Sequence, residues 1–158
     1  MTDRATQSDR DPILDITAQI SIFSAMDKEC VQELWDAYID HGQSSGYIFD
    51  VHRQGGLAVG YICYGPTPLT VGTWDIYWLA VSPQHRRQGI ARTLLTCAEE
   101  RIAQDNGRLI VIETSGTADY RGTRRFYAAC GYRRQATIRD FYAPGDDLVF
   151  YAKALQRP

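Results

Sequence analysis

A short stretch in the middle of the chain combines an apolar strand, an arginine-rich loop, one glycine and the start of an amphipathic helix. Arg86 and Arg87 precede Gly89, and Ala91 and Arg92 follow it. Backbone N–H groups in the first turn of a helix have no intrahelical partner and lie at the positive end of the helix dipole. Glycine lets the backbone approach an anion closely, and arginines add charged donors. The pattern therefore predicts a phosphate or pyrophosphate site.

Two other nucleotide-binding loops do not fit this stretch. A dinucleotide-binding turn needs G-x-G-x-x-G with an acidic residue about 20 residues later, and a P-loop needs G-x-x-x-x-G-K-[ST]. Neither pattern occurs in the chain. The remaining alternative is an ordinary strand-to-helix loop with solvated arginines.

Two motifs together carry a resemblance to a known family. The pattern Arg86-x-x-Gly89-x-Ala91 directly follows a strand that ends Leu-Ala-Val-Ser-Pro, and it resembles the cofactor-binding motif of the GNAT N-acetyltransferase superfamily. About 35 residues later, Phe126-Tyr127-Ala-Ala-Cys-Gly-Tyr resembles the family segment F-Y-x-x-x-G-[FY]. The resemblance implies an acyltransferase that uses acetyl-coenzyme A as acetyl donor and no metal.

The resemblance also implies roles for individual residues. The tyrosine of the Phe-Tyr pair usually donates a proton to the departing thiolate, a general-acid role that carries over to Tyr127. The alternative is that Tyr127 is only a core residue at a helix end. The Leu79 N–H would face the thioester carbonyl as an oxyanion donor, and the Val81 backbone would pair with the pantetheine arm. The implied cofactor-binding residues are Leu79, Ala80, Val81, Arg86, Arg87, Gln88, Gly89, Ile90, Ala91, Arg92, Ser115, Thr123 and Phe126.

Two carboxylates are candidates for the general base. Asp75 lies four residues before Leu79, where several family members carry an acidic base. Glu113 lies on an apolar strand, where burial favours a raised pKa. Each could instead be a structural carboxylate paired with an arginine, and a water chain could take the proton. Strand alternation places Asp75, Tyr77, Leu79 and Val81 on one face and Trp74, Ile76, Trp78 and Ala80 on the other.

One position departs from the family pattern. Seven residues before Tyr127, many members have an asparagine that hydrogen-bonds the pantetheine, whereas this chain has Tyr120. Thr114, Ser115 or Thr123 could supply the hydrogen bond instead.

The composition is that of a soluble protein with an uneven charge distribution. The 158 residues carry a net charge of −2, which argues against a general nucleic-acid binder. Residues 84–139 contain eleven arginines and five acidic residues, a local charge of +6 that suits a polyanionic ligand. The chain has no long apolar run, so we expect no membrane span and no signal peptide. A cytoplasmic location is therefore predicted. Dispersed cysteines and histidines predict free thiols and no metal site.

The order of predicted elements indicates an α/β fold. Residues 1–12 are predicted to be a flexible lead-in, and residues 13–158 a single domain. The predicted elements are a short strand within 13–22, a helix capped by Ser24 that runs to about Asp40, a hairpin of strands 47–52 and 57–64, a strand over 74–82, a helix over 88–106, a strand over 109–114, a helix over 122–130, and strands over 132–138 and 147–153. This order suggests a mixed sheet with helices on both faces. The GNAT resemblance implies a mostly antiparallel sheet that splays at the cofactor site.

The acceptor is predicted to be the primary amine of a small molecule. In this fold the acceptor cleft would be lined by residues 35–47, 64–75 and 141–147, which are rich in tyrosine and aspartate and suit a cation. The alternatives are a protein N-terminus or lysine, and a non-catalytic acyl-CoA-binding sensor or interaction module. A protein that acetylates charged tRNA would need a positive surface to bind the RNA. The acidic residues outside the central segment argue against such a surface. A homodimer, common in the family, is left open by the sequence.

Overall fold

A seven-stranded sheet organises the chain, with strand order β1-β2-β3-β4-β5-β7-β6. The computed structural model describes residues 1–155; residues 156–158 of the predicted domain lie outside the described residues. The elements are β1 Thr2–Arg4, α1 Arg10–Gln19, α2 Ala25–His41, β2 Ile48–Gln54, β3 Leu57–Pro66, β4 Thr73–Val81, α3 Ile90–Gln104, β5 Leu109–Ser115, α4 Arg121–Ala129, β6 Arg133–Ala143 and β7 Asp146–Ala154. Only β4 and β5 pair in parallel; the other neighbours in this sheet are antiparallel. The predicted mixed, mostly antiparallel sheet is confirmed.

Helices cover both faces of the sheet and form two apolar cores. On the face covered by α1 and α2, buried side chains include Ile13, Trp35 and Tyr61. On the face covered by α3 and α4, they include Leu94 and Ile112. The cores are called the α1/α2 face and the α3/α4 face below. Within residues 1–155, none of the helices is both long enough and apolar enough to span a membrane.

Helix α2 begins where the sequence predicts. Ser24 Oγ accepts from the Asp27 backbone N–H at 3.1 Å, and the Asp27 carboxylate accepts from the Ser24 backbone N–H at 2.7 Å. This reciprocal capping box satisfies two of the free donors at the helix start. Val31 and Trp35 are buried, whereas Met26 is 77% exposed.

The strand predicted within residues 13–22 is wrong, because this segment forms most of α1. Ile13, Ile16 and Thr17 are buried at helical spacing on one side of α1. The Thr17 hydroxyl donates to the Ile13 carbonyl oxygen at 2.7 Å and contacts the Tyr61 hydroxyl at 2.8 Å. A β-branched residue is therefore accommodated in the helix by a hydrogen bond one turn back.

The flexible lead-in predicted over residues 1–12 is also wrong. Strand β1 pairs with β2, and Asp9 is only 2% exposed. The Arg53 guanidinium donates two hydrogen bonds to the Asp9 carboxylate, each 2.7 Å long. Burial would raise the pKa of Asp9, but hydrogen bonds from Arg53 and Thr6 and the charge of Arg53 outweigh it and lower the pKa. Asp9, one of the charged residues that suggested a lead-in, is thus part of a buried ion pair.

A second buried carboxylate joins four elements. Asp50 on β2 is completely buried. It lies 2.5 Å from Nη1 of Arg101 on α3 and 3.1 Å from Nη1 of Arg4 on β1. The Tyr64 hydroxyl on β3 donates to its other oxygen at 2.8 Å. These contacts compensate the buried charge and fix β1 at the edge of the sheet.

We expect replacement of Arg53 by methionine to destabilise the protein strongly. Arg53→Met leaves the Asp9 carboxylate buried without its partner and should lower the free energy of unfolding by about 3 kcal/mol at pH 7. Because the pKa of Asp9 is lowered in the folded protein, its contribution is present above its unfolded pKa and is lost as pH falls through the folded pKa. The difference between variant and wild type should therefore shrink in acid. Urea unfolding followed by circular dichroism measures both effects.

Arg10→Met is the matched control. Arg10 pairs with Asp36 at 3.9 Å, and both side chains are exposed, so its loss should change stability by less than about 0.5 kcal/mol. Equal destabilisation by the two variants would show that the Asp9 ion pair does not hold the N-terminal segment.

Candidate functional site

The candidate site is the gap that opens between β4 and β5. These strands pair from Thr73 opposite Leu109 to Ile76 opposite Ile112, and no further pairing between them is present in the described chain. Beyond this point β4 stays bonded to β3 and β5 stays bonded to β7. Backbone groups on the two facing edges are therefore left without a strand partner. A cleft of about 1240 Å³ passes through this gap.

A β-bulge in β4 controls which side chains face each side of the gap. Cys63 pairs with Trp78 and Tyr64 pairs with Ile76, so Tyr77 is the extra residue. The bulge reverses the alternation. The predicted assignment of faces is therefore wrong from Trp78 onward. Trp74, Ile76, Leu79 and Val81 pack on the α3/α4 face, and Tyr77, Trp78 and Ala80 pack on the α1/α2 face.

The loop before α3 forms an open cradle. Arg87 and Gly89 have positive φ angles of 62° and 77°, a conformation that turns the chain sharply into the helix. The first intrahelical bond runs from the Thr93 N–H to the Gly89 carbonyl oxygen at 3.0 Å, which leaves earlier N–H groups available. A Cβ atom at Gly89 would meet no atom within 4 Å. The loop has the donors, charge and space that a pyrophosphate needs.

The structure brings most, but not all, of the predicted cofactor-binding side chains to the cleft. Those that line it are Leu79, Ala80, Val81, Arg86, Ala91, Ser115, Thr123 and Phe126. Arg87, Gln88, Gly89 and Arg92 lie exposed on the loop and the first helical turn. The Ile90 side chain is 3% exposed and belongs to the core, so only its backbone is available. The Ser115 hydroxyl already donates to Asp146 at 2.6 Å.

Tyr127 reaches the cleft from the α3/α4 face. Its side chain is 7% exposed and packs in an aromatic cluster with Phe126, Tyr132 and Tyr151. No side chain or backbone group in residues 1–155 hydrogen-bonds its hydroxyl. Burial raises the pKa of Tyr127, so the phenol stays protonated at neutral pH. The residue thus presents a proton donor without a protein partner to the cleft.

The two candidate bases line the same cleft, close enough for their charges to interact. Burial raises the pKa of Asp75, and a hydrogen bond from the Thr67 hydroxyl opposes this rise. Burial and the nearby charge of Asp75 raise the pKa of Glu113. Asp75 is half-buried, whereas Glu113 is exposed. No arginine is paired with either carboxylate in the described chain, which argues against the structural ion pair considered for each.

The wall beyond the bases is acidic and aromatic, and it matches the predicted acceptor segments only in part. Tyr47, Tyr142 and Asp146 line it from those segments, which also contribute the candidate base Asp75. Trp35, from the first predicted segment, is 1% exposed and lies in the core. Sequence reasoning missed residues 20–27 and Asp119, because 20–22 were assigned to a strand and no motif identifies a turn residue as a wall. The remaining part of the wall includes Ile22, Phe23, Asp27 and Tyr77.

Tyr120, which replaces the family asparagine, belongs to this wall. Its hydroxyl donates to the Ile22 carbonyl oxygen at 3.4 Å, across the cleft. Burial, followed by the charges of Asp27 and Asp146, raises the pKa of Tyr120 to about 12. Tyr120 therefore narrows this end of the cleft. Of the suggested substitutes for the asparagine, Thr114 and Thr123 line the cleft without a side-chain partner in residues 1–155.

Of the four cysteine side chains, Cys63 alone is buried, and the other three are partly exposed. Cys30, Cys63, Cys97 and Cys130 are all free. Among residues 1–155, histidine, cysteine and acidic side chains form no group of three that could hold a metal ion.

The family model of the acetyltransferase (GNAT) family matches residues 16–132, well over half of the chain. The chain belongs to this family. A GNAT-family protein from Desulfovibrio desulfuricans superposes on it with a TM-score of 0.94 and 35% identity, covering 98% of each chain. The predicted family and fold are confirmed.

Two further relatives differ in what they act on. L-2,4-diaminobutyric acid acetyltransferase from Streptomyces coelicolor is 27% identical over 99 residues, which are 63% of this chain and 56% of that protein. The match thus spans about half the length of this curated relative. An aminoglycoside 6′-N-acetyltransferase complexed with coenzyme A has a TM-score of 0.77 at 18% identity, covering 100% of this GNAT chain and 99% of the other. The second likeness shows the fold alone.

We expect Thr67 to tune the carboxyl group of Asp75. The hydroxyl bond stabilises the charged carboxylate, so Thr67→Val should raise the pKa of Asp75 further, and Thr67→Ser should restore it. A ¹³C NMR titration of the carboxyl carbons, with the Asp75 signal assigned by its loss in Asp75→Asn, measures the shift. An unchanged titration in Thr67→Val would show that the hydrogen bond does not act on Asp75 in solution.

Proposed function

We propose that this GNAT protein transfers the acetyl group of acetyl-CoA to the primary amine of a small molecule. The observation that carries the proposal is the cleft through the sheet. The protonated phenol of Tyr127, which has no hydrogen-bond partner in residues 1–155, reaches the cleft from the α3/α4 face. The carboxylates of Asp75 and Glu113, both of raised pKa, line the same cleft together with residues of the α1/α2 face. An acid and a base therefore line the same cleft.

The cradle before α3 fits the phosphate end of acetyl-CoA. The first-turn N–H groups and Arg86 would hold the pyrophosphate, because they supply fixed dipoles and one charged donor that lines the cleft. The unpaired edge of β4, from Leu79 to Val81, would hold the amide-bearing arm. Acetyl-CoA supplies an acetyl group activated as a thioester.

Tyr127 acts as the general acid in the proposed reaction. The amine nitrogen bonds to the acetyl carbon as the carbon–sulfur bond breaks, and the Tyr127 hydroxyl gives its proton to the sulfur. The raised pKa of Tyr127 keeps this proton in place before the reaction. Because a thiolate is a weaker base than a phenolate, the transfer accompanies cleavage of the carbon–sulfur bond, and the Tyr127 phenolate then regains a proton from water.

In the proposed reaction, Asp75 takes the proton from the attacking amine, and Glu113 is the second carboxylate nearby. Asp75 is the more buried of the two, and Thr67 orients its carboxylate. A raised pKa makes the carboxylate a better match for an ammonium proton. Glu113 lies close enough for the charge of Asp75, after burial, to raise the pKa of Glu113.

A small acceptor suits the cleft better than a protein chain. Tyr120 and Ile22 meet across the acceptor end, which narrows the approach. The diaminobutyric acid acetyltransferase is named for a small amine.

Substitution of Tyr127 by phenylalanine should remove the acid without removing the ring. We expect kcat to fall by at least about tenfold while the dissociation constant for acetyl-CoA is unchanged, because the phenol acts during transfer. Thiol release with a panel of small amines, amino acids and short peptides measures turnover, and calorimetry measures acetyl-CoA binding.

Tyr151→Phe is the matched control. Tyr151 belongs to the same buried aromatic cluster but does not line the cleft, so its loss of a hydroxyl should leave kcat unchanged. Equal kcat values for Tyr127→Phe and wild type would remove the acid role. Tight acetyl-CoA binding with no turnover of any acceptor would favour the sensor alternative, and absence of acetyl-CoA binding would overturn the proposed function.

The base assignment predicts opposite effects for two isosteric variants. Asp75→Asn should lower kcat/KM at least about 100-fold and abolish the acid limb of the pH profile, because the proton acceptor is lost. Glu113→Gln should keep both the activity and the acid limb, because burial and the Thr67 hydroxyl set the pKa of Asp75. Profiles of kcat/KM against pH separate the two. A reversed pattern would make Glu113 the base.

A further inference from the structure

The charges along the cleft change sign from one end to the other. At the cradle end, Arg86 is the single basic side chain among the described residues that line the cleft. The rest of the lining carries five carboxylates, namely Asp27, Asp75, Glu113, Asp119 and Asp146. A ligand at the end away from Arg86 is therefore surrounded by negative charge. No basic side chain among the described lining residues is there to bind a negative group of the ligand.

The five carboxylates fall into two groups. Asp75 and Glu113 stand at the gap between β4 and β5, where transfer is proposed. The second group consists of Asp27 on α2, Asp119 in the turn before α4 and Asp146 at the start of β7. The charges of all three raise the pKa of Tyr120. The Tyr120 hydroxyl reaches Ile22, next to the start of α2, and Asp146 accepts from Ser115.

Register along β5 sets the separation of the two groups. Ser115 lies two residues beyond Glu113 on β5, a rise of about 7 Å. Because Asp146 is hydrogen-bonded to Ser115 at 2.6 Å, the second group stands about one short aliphatic chain away from the first.

Tyrosines line the path between the groups. Tyr47 and Tyr77 meet edge to face with ring centroids 5.4 Å apart, and Tyr142 lines the opposite side. Burial, followed by the charge of Glu113, raises the pKa of Tyr142 to about 12. Aromatic faces and neutral hydroxyl oxygens both favour an alkylammonium ion.

The path ends at a polar group that lacks a protein partner. The Tyr127 side chain is 7% exposed, lines the same cleft, and its hydroxyl has no hydrogen-bond partner within residues 1–155. The acidic wall is thus one part of a continuous cleft that leads to a reactive position, and a ligand held by the wall would be presented to it.

We propose that the acceptor is a diamine or polyamine without a carboxylate. One nitrogen reacts beside Asp75 and Glu113, while a second nitrogen remains an ammonium ion held by Asp27, Asp119 and Asp146. This inference rests on the proposed function and narrows its acceptor. It departs from the diaminobutyric acid relative, because an acceptor carboxylate would meet five carboxylates and no basic side chain among the lining residues at this end of the cleft.

Three acceptors that differ by one group test the proposal. Pentane-1,5-diamine has both nitrogens, pentylamine lacks the second, and lysine is the same diamine with a carboxylate. With full-length protein and acetyl-CoA, we expect kcat/KM for the diamine to exceed that for each of the others by at least about tenfold. Pentylamine or lysine used as well as the diamine would overturn the acceptor class while leaving the acetyltransferase function intact.

Asp119→Asn tests the second group with little risk to folding, since Asp119 is exposed on a turn. We expect KM for the diamine to rise at least about threefold and KM for pentylamine to stay unchanged, because only the diamine has a charge to lose there. Asp105→Asn, an exposed change at the far end of α3, should alter neither value. Equal KM changes for both amines would indicate a structural effect and overturn the role of Asp119.

Direct binding keeps this inference separate from the proposed function. If acetyl-CoA binds but no acceptor is turned over, calorimetry of pentane-1,5-diamine with the CoA-bound protein still measures the acidic wall. Binding that is weakened by Asp119→Asn but not by Asp105→Asn would support a diamine site in a protein that does not catalyse transfer. No diamine binding in this experiment would overturn the inference.

Discussion

The early separation of β4 from β5 is the constraint on which the rest of the site depends. A parallel pair inside an otherwise antiparallel sheet shares only four residue pairs, because each strand follows its outer neighbour beyond Ile76 and Ile112. The backbone groups freed on the two inner edges are costly to leave unpaired away from water. A narrow ligand with amide groups can satisfy them. The gap is thus both a defect in the sheet and a binding surface that no side chain has to provide.

The bulge at Tyr77 converts this gap into a site with two distinct sides. It turns Leu79 and Val81 toward the α3/α4 face, where Tyr127 lies, and leaves Tyr77 on the α1/α2 face. Without the extra residue, strict alternation would put Leu79 on the same side as Asp75. The bulge allows β4 to place side chains both on the α3/α4 face, beside the aromatic cluster of Tyr127, and on the α1/α2 face. In the proposed reaction, the proton donor and the proton acceptor therefore approach the gap from different walls.

Local signals in the sequence predicted much of the fold, and long-range pairings account for most of what was missed. The capping box at Ser24, the hairpin and the strand, loop and helix around Gly89 depend on neighbouring residues, so they could be predicted. The ordered N-terminus depends on Asp9 meeting Arg53, a contact 44 residues away in the chain. The bulge likewise depends on the register with β3. Helix α1, in contrast, carries a local signal that was missed, the helical spacing of Ile13, Ile16 and Thr17. For the site, the phosphate cradle and Tyr127 follow from motifs, whereas the acceptor wall is assembled from turns that carry no motif.

The proposed acceptor sets two demands that a single carboxylate could not meet. An alkylamine is largely protonated at neutral pH and attacks only after it loses that proton. A carboxylate that only stabilised the ammonium ion at the gap would hold the reacting nitrogen in its unreactive form. Burial raises the pKa of Asp75 and makes it a better proton acceptor there. Carboxylates placed farther out, such as the exposed Asp119, can hold a second ammonium ion without competing for the reacting proton. Separation of the two acidic groups along the cleft thus lets the same charge type both bind the acceptor and activate it.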